Sequence, residues 1–351
     1  MAQVTTSDGS ALKKIWAIVG FLLIITLALN LIQPIASVLF LIFAGSLLGI
    51  GLSGIAEVTN RRLFMPRGIS IVLSIFLLLG IPIAIGWIGG AQIAEQSSQL
   101  WSNIQASIEK LRGLLAQTEI GRSLMAKATS SNLMPSASAA LLSIGGAFSS
   151  VFSGAIDFIV ILIIGIYIAV DPEVYSRNFV LLFSRERRPR ITQVLGLTNL
   201  TLRRWLLGRL VSMLIMGVLV GIGYWIIGMP LALILALIIA IFEFIPFIGQ
   251  ILGVIPAVLV AFNQGWDMVI SVLAIYIVIQ AIESYLITPL VEQRAVSLPP
   301  AFLIAAQFLF GLMAGLPGIA LATPLTVVII ISIQTFYVQD TLGEDVTTLG
   351  T

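Results

Sequence analysis

The sequence predicts an all-α polytopic membrane protein of about eight transmembrane helices, with broken or re-entrant helices in its C-terminal third. Three observations predict it. Of 351 residues, 59% are hydrophobic and only 10% charged, and the mean hydropathy is +1.11. A soluble domain carries about 25% charged residues, so a single soluble globule of this size is excluded. The charges are also clustered: none falls between Lys14 and Glu57, Arg67 and Glu95, Lys127 and Asp157, Arg209 and Glu243, or Arg294 and Asp340. Each crossing takes about 20 apolar residues, so the first and last of these gaps are each long enough for two. Finally, Pro and Gly repeatedly interrupt the apolar runs after Gly228.

Residues 1–91 hold spans 1 to 3. Lys13 and Lys14 precede Ile15–Leu29, which reads as a signal anchor rather than a cleaved leader. Asn30, Gln33 and Pro34 suggest a polar turn into a second span. Arg61, Arg62 and Arg67 mark the return loop, and Gly68–Gly90 the third span. In 92–147, Leu100, Ile104, Ile108, Leu111 and Leu115 recur at helical spacing between polar residues. That pattern predicts an extracytoplasmic amphipathic insert, lying on the membrane surface or packed on the protein. Span 4 is expected over 148–170.

Residues 171–209 carry eight Arg, from Arg177 to Arg209, and read as a cytoplasmic segment. With spans 1 to 4 placed, the inner side collects 13 basic residues against four outside, which sets the N-terminus in the cytoplasm and the chain in the inner (plasma) membrane. Residues 210–338 form the proposed transport core and 339–351 a tail without Lys or Arg. Breaks are expected at Gly228-Met229-Pro230, Pro246, Pro256, Thr288-Pro289, Leu316-Pro317-Gly318 and Thr323-Pro324.

Function is sought where hydrocarbon is least tolerant. A broken helix exposes backbone groups that lipid cannot satisfy, and paired broken segments mark transporter sites. One pair stands out: Glu243 through Pro246, Gly249 and Gln250 to Pro256, and Gly311 through Pro317 and Gly318 to Pro324. Buried carboxylates are the second sign, at roughly 2.5–3.5 kcal/mol each on insertion scales. Asp157 is expected in mid-span 4, Glu243 before the first break and Glu283 in span 7. Tyr276, Gln280, Glu283, Ser284 and Thr288 share one broad helical face. Such a stripe either lines a path for a polar solute, proton or cation, or is a satisfied interhelical network. Glu292 and Arg294 suggest an interfacial ion pair. The pairs Gly45/Gly49, Gly217/Gly221, Gly249/Gly253 and Gly311/Gly315 permit close helix or subunit contact. The Arg cluster 185–190 serves as a topology signal or a grip on membrane lipids.

Several chemistries are absent. The chain has no Cys and no His, so it has no thiolate or imidazole to act as nucleophile, base or metal ligand. No Lys precedes Ser or Thr, so there is no GK[ST] phosphate loop. Neither an enzyme, nor a cofactor or metal, nor a nucleic-acid partner is expected.

Further residues carry a resemblance. Gly228-Met229-Pro230, Phe244-Ile245-Pro246-Phe247-Ile248-Gly249 and Ile255-Pro256-Ala257 match a G-x-P, I-P-aromatic-I/V-G, I-P-A pattern. Gln280-Ala281-Ile282-Glu283 with Thr288-Pro289, Leu298-Pro299-Pro300 and Gly315-Leu316-Pro317-Gly318 with Ala322-Thr323-Pro324-Leu325 extend it. Over about residues 12–338 the chain resembles the autoinducer-2 exporter family of permeases. The resemblance implies about eight spans, cytoplasmic termini and a homo-oligomer, with a pentamer as its order. It also implies export of a quorum-sensing signal, a small polar furanone derivative; other members resemble cation/proton antiporters. The family's His before the second Pro block is missing here, where Leu298 precedes Pro299. Three functions follow as expectations: a secondary transporter of a small polar solute, a sodium or lithium/proton antiporter, or a non-transporting membrane scaffold.

Overall fold

A computed structural model of the chain describes residues 8–119, 156–289 and 298–344, with side chains from residue 35 onward. Among the described residues the fold is all helical. The helices are α1 (Asp8–Leu63), α2 (Arg67–Ala116), α3 (Ile156–Val170), α4 (Pro172–Leu181), α5 (Arg188–Ile226), α6 (Ala232–Phe242), α7 (Ile248–Gln264), α8 (Trp266–Ile282) and α9 (Pro300–Ile333). Single π-helical turns extend α8 (Glu283–Ile287) and α9 (Gln334–Gln339). Among the described residues four helices are long and apolar enough to cross a membrane: Ile35–Arg62, Arg188–Ile226, Trp266–Ile287 and Pro300–Gln339. A fifth is available if α3 and α4, bent by 91°, count as one. That count, taken over the described residues, does not confirm the eight expected from the sequence.

Several expected boundaries are absent. α1 runs unbroken through Asn30, Gln33 and Pro34, so 56 residues make about 84 Å of helix where a turn was expected. The third span and the amphipathic insert are one 50-residue helix, α2, so no boundary falls at 91/92. The insert packs on protein: Leu100 and Ile104 are buried in a core with Ile234, Leu235 and Val260. It also supplies caps. Gln96 Oε1 accepts from Ile234 N in the first turn of α6 at 3.1 Å, and Lys110 Nζ donates to Phe262 O at the C-terminal end of α7 at 3.2 Å. A cation there matches the negative end of the helix dipole. The Arg-rich segment is two helices, and its 209/210 boundary falls inside α5. Pro256 and Pro324 lie within α7 and α9 without breaking them. Neighbouring helices can satisfy the carbonyls that a membrane Pro frees. Residues 120–147, the start of span 4 and the Glu292–Arg294 pair lie outside the described residues.

α5 serves both cores. One joins it to α2, α6, α7 and α8; the other joins it to α1 and α9. Its length also fixes relative sidedness. Arg203 on α5 pairs with Glu57 near the end of α1, and Arg190, further toward the start of α5, pairs with Asp340 beyond α9 at 2.6 Å. The end of α1 and the tail therefore lie on one side, here the basic side. The far side holds the paired Asn103 of α2 and Asn263 of α7.

The sequence's small-residue pairs are used inside the chain. Gly45 and Gly49 receive Ile164 and Ile168 of α3, and Gly217 and Gly221 receive Ala240 and Ala236 of α6. Side chains such as Phe76, Trp225 and Leu312 project outward instead, as lipid-facing residues do.

Candidate functional site

Both Pro-interrupted segments double back. In the first, α6 runs from the far side toward Arg209 of α5, and α7 returns. A Cβ at Gly253 would come within 3.3 Å of Ile239 Cα, so the arms lie against each other. The reversal is tight: Phe247 has φ 62° and ψ −69°, and Ile248 N donates to Pro246 O at 2.8 Å. This is a γ-turn in its strained, positive-φ form. In the second, Ala314 (φ −137°, ψ 15°) and Gly315 (φ 62°, ψ −140°) interrupt α9. A Cβ at Gly311 would lie 2.8 Å from Ile319 Cγ1, whereas eight residues of straight helix span about 12 Å. The return arm ends at the basic side, where Asp340 meets Arg190. The two hairpins thus enter from opposite sides and meet: Gln307 Nε2 of α9 donates to Pro246 O at 2.7 Å.

Each turn depends on a glycine. A Cβ on Gly249 would sit 2.0 Å from Phe242 O, and one on Gly318 2.0 Å from Phe310 O. Both contacts are with backbone, which cannot step aside.

Around this meeting point lie two buried carboxylates. Glu243 caps the C-terminal end of α6, where a negative charge opposes the helix dipole. Arg209 offsets it: Nη2 lies 3.1 Å from Glu243 Oε1, with the two side chains 3% and 0% exposed. Arg209 Nε also reaches Phe244 O at 3.4 Å, and Trp205 meets the Phe244 ring edge-on at 5.6 Å.

Glu283 is held differently. Its Oε2 accepts from Gln280 Nε2 at 2.6 Å and Gln250 Nε2 at 3.3 Å; its Oε1 accepts from Thr288 Oγ1 at 3.0 Å. Tyr276 OH donates to Gln250 O at 2.7 Å. The π turn beginning at Glu283 brings residue i+5 over residue i, which places Thr288 within reach. Such turns concentrate at functional sites. A groove of about 300 Å³ lined by Tyr276, Ile277, Gln280, Ala281, Ser284 and Tyr285 runs beside this network.

The structure therefore brings together Glu243, Pro246, Gly249, Gln250, Tyr276, Gln280, Glu283 and Thr288. Ser284 is exposed and lines the groove rather than the hydrogen-bonded network around Glu283. Gly318 is buried at the second turn, and Pro317 beside it is exposed. Asp157, expected in mid-span, is exposed at the described start of α3 and stands apart. Sequence reasoning missed two members, Arg209 and Gln307. Arg209 reads as the last residue of an Arg-rich loop, yet Trp205 and Leu206 just before it are apolar, which marks it as already inside. Gln307 is a lone amide in an apolar run, and only its depth was legible. Among the described residues no group of three or more acidic side chains could hold a metal ion.

Apolar helices of span length, folded around two opposed hairpins with carboxylates sealed between them, define a multi-pass membrane transporter. The chain belongs to the AI-2E transporter family, whose pattern matches residues 15–337. It is 25% identical over 278 residues to "Putative transport protein YueF" of Bacillus subtilis, covering 76% of this chain and 75% of that one. It is 30% identical over 163 residues to "Putative transport protein YrrI" of the same organism; that match spans just under half of either chain, 46%. A third relative, "Putative transport protein MT0215" of Mycobacterium tuberculosis, is 37% identical over 106 residues, 30% of this chain and 29% of that one.

Proposed function

We propose that the chain is a secondary transporter that exports a small polar solute, autoinducer-2-like in chemistry, past Glu283. The observation that carries this reading is the pair of opposed hairpins meeting beside a buried carboxylate that accepts hydrogen bonds from the neutral side chains of Gln250, Gln280 and Thr288. Amides and hydroxyls can exchange a hydrogen bond to Glu283 for one to a hydroxylated solute without separating charge. Among the described residues Gln280 Oε1 and Gln307 Oε1 are buried with no protein donor, so the interior retains hydrogen-bonding capacity. An unmet buried acceptor costs about 1–3 kcal/mol, which a polar cargo would relieve. The groove of about 300 Å³ beside Tyr276 and Gln280 suits a molecule of that size. With no GK[ST] loop in the sequence, a coupling ion or the solute's own gradient drives the flux.

In this reading the basic side is cytoplasmic, the membrane is the inner one, and the two hairpins account for part of the eight expected crossings as half-crossings. Assembly as a homo-oligomer, a pentamer by resemblance, completes it. The test is flux of a labelled furanone-type solute into proteoliposomes. Wild-type protein is expected to transport it and Glu283→Gln to lose at least about tenfold in rate; equal rates would overturn the reading. A second reading, sodium or lithium/proton antiport, is favoured by the same donor set, because a carboxylate held by neutral oxygen- and amide-bearing groups can exchange a proton for an alkali cation. Cation-driven pH change without solute flux would select it.

A further inference from the structure

Away from the hairpins, a cavity of about 310 Å³ opens at the basic side, between the end of α1, the start of α2, the α3–α4 bend and α5. Its polar wall is Ser53, Glu57, Asn60, Arg67, Asn199 and Arg203; Ile50, Ile71 and Ile168 supply apolar lining. The one acid in that wall is already engaged. Arg61 takes Glu57 Oε1 at 2.6 Å and Arg203 takes Oε2. Among the described residues no acid pairs with Arg67. The start of α2 adds to this positive field: Pro66 provides no side-chain cap, and the helix dipole places partial positive charge on the first-turn N–H groups. Among the described residues Ser53 Oγ is buried with no protein partner.

The cavity lies beside the α3–α4 bend. α4 leaves α3 at 91°, has no buried residue, and exposes Val174, Tyr175 and Phe179 alongside Glu173 and Arg177. A helix of that kind lies in the interface. Guanidinium, amide and hydroxyl donors above apolar lining match a phosphate attached to an apolar body.

We propose that this cavity binds a phosphate group at the basic membrane surface, with Arg67 as its principal charge partner. The group arrives as the headgroup of an anionic phospholipid or as a free phosphate. Transport past Glu283 takes no part in this assignment.

The experiment is a melting-temperature titration of the full-length protein in uncharged detergent with three probes: dioctanoyl phosphatidylglycerol, inorganic phosphate and dioctanoylglycerol. The melting temperature is expected to rise saturably with a phosphate-bearing probe. Arg67→Ala and Ser53→Leu should each weaken the apparent affinity at least about tenfold, the size of one lost charge-assisted contact. Arg62→Ala, exposed and outside the cavity, should leave it unchanged. Saturation by phosphatidylglycerol alone assigns the site to lipid; saturation by inorganic phosphate with the same Arg67 dependence assigns it to a soluble anion. Equal stabilisation by dioctanoylglycerol, an unchanged affinity in Arg67→Ala, or no saturable response in the wild type would overturn the proposal. Arg67 is exposed, so its variant reports even where Ser53→Leu fails to fold.

Discussion

Glu243 and Glu283 are both sealed within the bundle, 0% and 3% exposed, yet their surroundings differ in kind. Glu243 faces a guanidinium and ends a helix; Glu283 receives two amides and a hydroxyl and opens a π turn. A charge locked to an opposite charge is costly to disturb and poorly suited to release cargo. A carboxylate held by neutral donors can swap them one at a time. The sequence shows two equivalent acids in apolar runs, whereas the structure separates one paired with a guanidinium from one that accepts from amides and a hydroxyl, and the proposed transport role falls on the second.

That division predicts a graded series. The largest effect belongs to Glu243→Ala, which strands Arg209 without its partner and should destabilise by about 3–5 kcal/mol in chemical denaturation. The paired change Arg209→Met with Glu243→Leu should recover most of that loss, because apolar replacement of a buried ion pair is often neutral. If the pair change is as damaging as the single one, Glu243 is no mere anchor. Next come Gly249→Ala and Gly318→Ala, whose added methyl meets a backbone oxygen; each should cost about 1–3 kcal/mol by overpacking. Gly196→Ala in α5, with nothing within 4 Å, should instead stabilise by about 0.5–1 kcal/mol. Glu283→Gln should change stability by only about 1 kcal/mol while abolishing flux, since an amide keeps the shape and some of the hydrogen bonds. A loss matching that of Glu243→Ala would erase the contrast. The smallest effect is expected from Arg190→Ala. Its pair with Asp340 is 28% and 42% exposed, so about 1 kcal/mol or less is at stake. Faster proteolysis of the tail is the readout.

The legible parts of this architecture were those written in residue chemistry. Pro246 and Pro317 lack the amide that a helix needs, so the hairpin positions could be read within a few residues. Charge-free runs gave the apolar helices. Geometry between helices was not written there. Pro marks an interruption but carries no angle, so a full reversal at Phe247 and Gly315 looks the same in sequence as a gentle kink. Pro256 and Pro324 show the converse, a Pro that ends nothing. The continuity of α2 was hidden because its apolar and amphipathic halves face different neighbours, α1 in one and α6 and α7 in the other. The sequence puts Thr288 on the face of Glu283, but their direct hydrogen bond comes through a π turn, a change of period that a 3.6-residue wheel does not display. Arg209 was masked by seven arginines before it.

The amide of Gln307 on the Pro246 carbonyl carries one more consequence. It ties the two hairpins to each other by one side chain, and a shift of either by about an ångström breaks it, given the narrow range over which such a bond holds. Relative motion of the hairpins by that much therefore costs this bond, about 0.5–1.5 kcal/mol net.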